Sequence, residues 1–482
     1  MGDITPAATT TTTTTNAHPQ PPPPPPPKKP LSIAIIGGGI AGLALAIGLQ
    51  NHGHADTKIY EAAPAFGEIG AGIAFGPNAM RACSLIDGRI LAGFKKGATC
   101  NVSPERYDTF LSYVYAQDSR SGDGRKAGEL IVHARREGQG GCWTGAQARC
   151  GVHRRYALGV LVGLLPAGTA VFGKQLVGIE ESGCDDDDDD DDGGGRMILR
   201  FADGSTASAD AVVGCDGIKS RTREILHPGK IRAQFSGEYG YRALLPREEA
   251  VSILGADFAL NGMLYCGYNI GMITYPVENH ALVNAFAVCR GEWTSETNMA
   301  PCSKAQMLAD FTTTDGDDDG VDKGGLDARL VKMLHAFPDS SRWGIFDVPH
   351  NEPYYRNRIC ILGDAAHAAT PNLGAGAGMA IEDALVLSRL LGRIEHKSQI
   401  EDAFRAYDAV RRPRTQKVVW ESRRAGLANE FLMEGVGDNF EELERELNER
   451  YQWIWDVDLE GMVDEALGLL ERGWKGEGWS DV

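Results

Sequence analysis

The chain has 482 residues, 43% of them hydrophobic and 24% charged, with a formal net charge of −18. That is the composition of a globular protein long enough for two domains or one large two-part enzyme. The acidity argues against nucleic acid or a stable membrane surface as partner, and ten cysteines without a CxxC pair fit a reducing, cytoplasmic setting.

Residues 1–30 are a threonine run followed by a proline run. Such a tail cannot bury a core and is expected to be disordered or extended polyproline, although the prolines could also dock an SH3 or WW domain. It lacks the apolar stretch of a signal peptide and the arginines of a transit peptide. Next comes LSIAIIGGGIAGLALAIGLQ, Leu31 to Gln50, twenty residues without a charge. Its length would span a bilayer. The three glycines Gly37–Gly39 break it, however, into a short isoleucine-rich strand, a tight turn and a helix. Gly37, Gly39 and Gly42 have dinucleotide-fingerprint spacing: one permits the turn, one admits a pyrophosphate, one lets helix pack on strand. A second strand, Thr57 to Tyr60, ends in Glu61, near the distance expected for an acid that binds a ribose hydroxyl.

A glycine-rich loop, FGEIGAGIAFGPNA, enters a helix near Pro77, and VHRRYAL opens another near His153 and Arg154. Strands are expected at Ala170–Glu180 and Met197–Phe201, separated by the acidic loop 184–195, with its eight aspartates, as a solvated connection. From Gln234 to Glu292 longer strands suggest a separate sheet. RICILGDAAHAATPNLGAGAG then repeats strand, glycine loop and helix, and the chain from about Gln399 is helical and charged. The expected division is a cofactor domain in 31–233 and 355–398, a β-sheet substrate domain in 234–354, and C-terminal helices in 399–482. Within the first segment, 31–100 and 150–233 carry the cofactor-domain pattern.

Asp216, in CDGIKSRTR, and Asp364, in ILGDAAH, follow apolar strands. Either could simply cap a helix, or accept a bond from a ribose or ribitol hydroxyl. The small residues of NLGAGAG could bring backbone N–H groups to an isoalloxazine ring, or form only a flexible loop.

These motifs together resemble the flavin-dependent aromatic hydroxylases, single-component FAD monooxygenases of the para-hydroxybenzoate hydroxylase fold. The resemblance runs from about Ile33 to the end. FGEIGAGIAFGPNA, YGYRALLP and YDAVRRPRTQKV narrow it to the fungal branch holding salicylate hydroxylase and the phenol monooxygenases of polyketide pathways. It implies an α/β fold: a Rossmann-like FAD domain, an inserted, mostly antiparallel sheet and a helical C-terminal part. It implies FAD, with NADPH or NADH as a transient co-substrate, O₂, and a small phenolic substrate hydroxylated through a flavin C4a-hydroperoxide. Homodimer formation is left open. Carried over, Gly37, Gly39 and Gly42 would hold the pyrophosphate and Glu61 the adenosine ribose. Ala74 and Arg154 would lie against the flavin. Asp364 would bind the ribityl–pyrophosphate portion, Gly376 and Ala377 would flank the isoalloxazine, and Asp216 would serve both FAD and nicotinamide.

The catalytic candidates are Arg242, to pair with a phenolate, and Tyr275, to steady the same oxygen. Against these stand a sheet-edge ion pair for Arg242 and a half-buried strand tyrosine for Tyr275. His367 reads as structural, and the arginines of RRPRTQK as partners of carboxylates. Salicylate hydroxylases of this branch typically read TPHQGAGAG and carry Phe where Tyr275 stands; here Asn372 and Leu373 replace His and Gln. A drier, non-titrating pocket leans towards a polyketide phenol, with decarboxylating hydroxylation of salicylate to catechol as the alternative. A non-catalytic flavin-binding regulator would keep the fingerprint but need neither Arg242 nor the small-residue loop.

Overall fold

The computed structural model describes residues 31–54, 56–67, 72–135, 150–182, 195–312, 325–338 and 341–474. The Thr/Pro-rich tail and the aspartate run lie outside them.

Strand Ile33–Ile36 is buried at all four positions and forms the middle of a six-stranded sheet. It pairs in parallel with Thr57–Glu61 on one side and Ala211–Gly214 on the other. Ile359–Ile361 and Ala170–Phe172 extend the parallel set, and Tyr355–Arg356 closes one edge antiparallel. Buried on both faces, such strands need continuous apolar runs, which explains the Ile-rich sequence. Helix Ile40–Asn51 is apolar on every side because it is buried on almost every side. It packs against helix Gly376–Leu391 so closely that a Cβ on Gly48 would lie 2.5 Å from Ser388 Oγ. The uncharged stretch is thus a core segment. No helix among the described residues is long and apolar enough to cross a membrane.

An eight-stranded sheet forms the second layer, in the order 299–301, 341–347, 234–246, 282–290, 270–277, 263–267, 109–115, 130–135. The division drawn from sequence is therefore too simple: Thr109–Tyr115 and Leu130–Arg135, within 31–233, belong to the eight-stranded sheet. Thr109–Tyr115 joins it through a parallel pairing with Met263–Gly267. Local pattern gave no hint of this, because the pairing partner is remote in the chain. Along Gln234–Pro246 the side chains alternate. Tyr239, Tyr241, Ala243 and Leu245 enter a core shared with helices Arg247–Leu254, Lys304–Thr312 and Ala328–Ala336. Glu238 and Arg242 face the other way, towards the first domain. The expected strand Ala170–Glu180 is two strands, and its second half, Leu176–Glu181, joins Met197–Phe201 and Thr206–Ala209 in a small antiparallel sheet.

Helix Ile400–Asn429 runs thirty residues and ties the layers together. Arg411, fully buried, donates to Glu382 Oε2 (2.6 Å) and Asp383 Oδ1 (2.8 Å). Arg414 joins Glu382, His367 Nε2 lies 2.5 Å from Asp383 Oδ2, and Arg423 pairs with the buried Asp347 of the eight-stranded sheet. His367 and the arginines of RRPRTQK are accordingly framework.

Candidate active site

Between the two layers lies a cleft of about 420 Å³. The glycine loop forms one wall. Gly37 has φ +106°, and a Cβ there would sit 2.4 Å from the carbonyl oxygen of Cys215; one on Gly42 would sit 2.1 Å from Gly37 O. Both are fixed by close backbone approach. A Cβ on Gly39 would meet nothing within 4 Å, because Gly39 opens onto the cleft. No side chain caps the helix that begins at Ile40, and its first turn holds no acid. Its N–H groups are left for an anion. Glu61 braces the loop: Oε2 accepts from Gly38 N (2.7 Å) and Oε1 from Ala63 N (2.8 Å).

Asp364 and the N-terminus of helix Gly376–Leu391 form the facing wall, with Gly376 and Ala377 at the surface. Gly374, at φ +59°, turns the chain into that helix without a side chain to obstruct the cleft. Ala74, on strand Gly72–Phe75, and Arg154, first residue of helix Arg154–Val162, complete this end.

The eight-stranded sheet supplies the floor. Cross-strand register places Arg242 opposite Phe286, and its guanidinium lies 5.0 Å from the Phe286 ring centre and 5.3 Å from that of Trp343. Among the described residues it has no carboxylate partner. Burial pushes its pKa down, the nearby Tyr275 pushes it up, and Arg154 pushes it down again. A guanidinium in these surroundings stays protonated and is poised for an anion. Tyr275 is 7% exposed and donates its hydroxyl proton to Gly72 O at 2.8 Å.

Comparison with known proteins agrees with this geometry. Residues 187–422 match the family model described as an FAD binding domain. The 6-methylsalicylate 1-monooxygenase of Aspergillus terreus is 37% identical over 449 residues, covering 91% of this chain and 92% of that one. The chain belongs to the FAD-dependent monooxygenases. Salicylate hydroxylase of Pseudomonas putida is 33% identical, covering 93% of this chain and 96% of its own. A salicylate hydroxylase solved as a substrate complex superposes with a TM-score of 0.74 at 30% identity, covering 91% of this chain and 98% of that one.

As in an FAD-dependent monooxygenase, the cleft suits the cofactor. Its backbone-lined cradle at Gly39 and the small residues at Gly376 and Ala377 are places that any side chain would fill. Of the residues singled out in the sequence, Gly39, Ala74, Arg154, Arg242, Tyr275, Asp364, Gly376 and Ala377 line one cavity. Gly37, Gly42 and Glu61 shape the loop from behind. Asp216 stands apart. Its carboxylate accepts from Ser220 Oγ (2.5 Å), Arg221 N (2.8 Å), Thr222 N (2.9 Å) and Thr222 Oγ1 (3.1 Å). It therefore serves the start of helix Arg221–Leu226, and its neighbours Cys215 and Gly217 line the cleft instead. Leu373 also departs from expectation. It is buried in the core beside Phe110 and Met379, so it does not dry the pocket; Asn372 does line it.

Several lining residues escaped the sequence reading. Glu238 shares a strand face with Arg242, so alternation within GEYGYR could have found it. Glu430 and Asn284 carry no local signal. Both leave a buried oxygen without a donor among the described residues.

Proposed function

We propose that this monooxygenase hydroxylates a phenolic, polyketide-derived aromatic ring with NAD(P)H and O₂, as a cytoplasmic enzyme. The observation that carries the reading is Arg242: a cation stacked on aromatic rings, without a carboxylate partner among the described residues, in the same cleft as Gly376 and Ala377. Bound FAD supplies the redox chemistry, accepting a hydride and activating O₂ for transfer of one oxygen atom. The chain's own residues orient the ring and keep water out. Arg242 holds the phenolate, lowering the phenol's pKa and making the ring electron-rich. Tyr275 donates its hydroxyl hydrogen bond to Gly72 O and so fixes the strand that carries Ala74. The floor and far wall, Phe286, Val288, Ile273 and Phe110, are apolar and limit solvent access. Overall, substrate, O₂, NAD(P)H and a proton give hydroxylated product, NAD(P)⁺ and water.

A second reading is decarboxylating hydroxylation of a salicylate, which also releases CO₂. It is favoured by the two cations, Arg154 and Arg242, lining one cleft, which suit a carboxylate beside a phenolate. The named activities of the relatives from A. terreus and P. putida point the same way.

The test is product mass from the purified yellow protein given NADH or NADPH, with salicylate, 6-methylsalicylate and a methylated 2,4-dihydroxybenzaldehyde in parallel. One oxygen added to the aldehyde supports the first reading; catechols from the acids support the second. If no ring stimulates NAD(P)H oxidation, both are wrong.

A further inference from the structure

The far end of the cleft holds a group that this chemistry leaves unused. Glu238 and Glu430 both line the cavity and are each 1% exposed. Glu238 lies four residues before Arg242 on the same strand face, roughly 13 Å away at the usual rise of a strand. Glu430 arrives from the C-terminal end of helix Ile400–Asn429. Strand register sets Arg290 opposite Glu238. Arg290 Nε donates to Glu430 Oε2, and its terminal nitrogen is 4.0 Å from Glu238 Oε1. Asn372 Nδ2 reaches both oxygens of Glu238, at 3.1 and 3.3 Å. The next cation, Arg423, is bonded to Asp347.

Two buried carboxylates thus share one guanidinium, an arrangement relieved when the pair holds a proton. Burial pushes both carboxyls up, and Glu238 pushes Glu430 further. With both carboxyls ionised, Glu430 Oε1 is buried and accepts no hydrogen bond from a described residue. A buried acceptor of this kind gains most from a hydroxyl donor brought by a ligand. Between this end and Arg242, the Phe286 ring lies over Gly240, where a Cβ would be only 2.6 Å from it, and forms an aromatic floor for a ring.

We propose that Glu238 and Glu430 form a subsite for a second hydroxyl of the substrate ring, on the side away from the anion held by Arg242. The enzyme is then selective for dihydroxylated rings over singly hydroxylated ones. This rests on the phenol-hydroxylase reading and narrows its substrate class.

Salicylate and 2,4-dihydroxybenzoate differ by one hydroxyl and make the comparison. With holoenzyme, Kd is read from the change in flavin fluorescence and kcat/KM from substrate-stimulated NAD(P)H oxidation. The wild type is expected to favour the dihydroxy acid by about tenfold or more, the scale of one hydrogen bond to a charged group. In Glu430→Met, and independently in Glu238→Met, which remove the acceptor oxygens, that ratio should collapse towards unity in both Kd and KM. A wild-type ratio near one, or a ratio unchanged in a variant that retains its flavin spectrum, overturns the subsite while leaving the hydroxylase reading intact. Failure of both rings to bind or to stimulate oxidation overturns the subsite, and failure of the methylated 2,4-dihydroxybenzaldehyde as well overturns the hydroxylase reading.

Discussion

Removing the guanidinium of Arg242 separates binding of the cofactor from use of the substrate. Arg242→Ala should purify yellow but lose at least about tenfold in kcat/KM, consistent with a charge-assisted bond worth roughly 1.5–3 kcal/mol. Much of its remaining NAD(P)H oxidation should yield hydrogen peroxide, measured against hydroxylated product. Tyr275→Phe should cost far less. The lost bond to Gly72 O is worth about 1 kcal/mol, so the expected change is under about tenfold, without a new pH dependence. The glycines divide in the same manner. Gly39→Val projects into open space and should give a folded, colourless protein, whereas Gly42→Ala meets Gly37 O and should lower thermal stability by about 1–3 kcal/mol. Visible absorbance and a thermal scan of both variants check this pair. The fingerprint was legible because its glycines act within a dozen residues of chain. Asp216 is ambiguous for a related reason: an acid ending a strand before Ser-Arg-Thr serves a helix start as readily as a ribose, and the four bonds it accepts all come from that helix start.

Between helices, the buried cluster of Arg411, Glu382, Asp383 and His367 is the main polar joint. Burial alone would raise the Asp383 pKa, but His367 and Arg411 outweigh it and hold the carboxyl at about 2. A folded-state pKa below the unfolded value of about 3.9 contributes stability above about pH 4, lost as pH falls towards 2. Denaturant unfolding at about pH 5 and about pH 3 should show that loss, and Asp383→Asn should reduce it. Arg411→Met, which removes the cation shared by two buried carboxylates and leaves Glu382 to Arg414 and Asp383 to His367, should cost about 3–5 kcal/mol by the same measurement. The elements themselves were largely readable from periodicity: Ile33–Ile36, Ile40–Asn51 and the helix opening at Arg154 all form. What periodicity could not provide was partnership. Glu238 meets Arg290 only through the register of two strands some fifty residues apart, and Glu430 reaches them only because a thirty-residue helix ends there.

At the scale of the whole molecule, FAD would sit between two layers that each contribute part of its surroundings, so its loss should loosen both. Stripping the flavin is expected to lower Tm, and adding back FAD at about one hundred times its Kd should restore about 2.7 kcal/mol. A thermal scan across FAD concentrations tests this; a Tm independent of FAD would mean that the folded chain does not bind it in preference to the unfolded one.

The parallel pairing of Thr109–Tyr115 with Met263–Gly267 bears on how the protein is made. The earlier strand is buried at all seven positions, yet its partner is synthesised about 150 residues later. At about 5–20 residues per second, it waits on the ribosome for roughly 8–30 s. Leu130–Arg135 can cover one edge almost at once, as the other strand of an antiparallel pair. The other edge stays open, an apolar row of unpaired backbone groups of the kind that seeds aggregation. The earlier strand is therefore also a segment of the nascent chain exposed to aggregation until Met263–Gly267 is made.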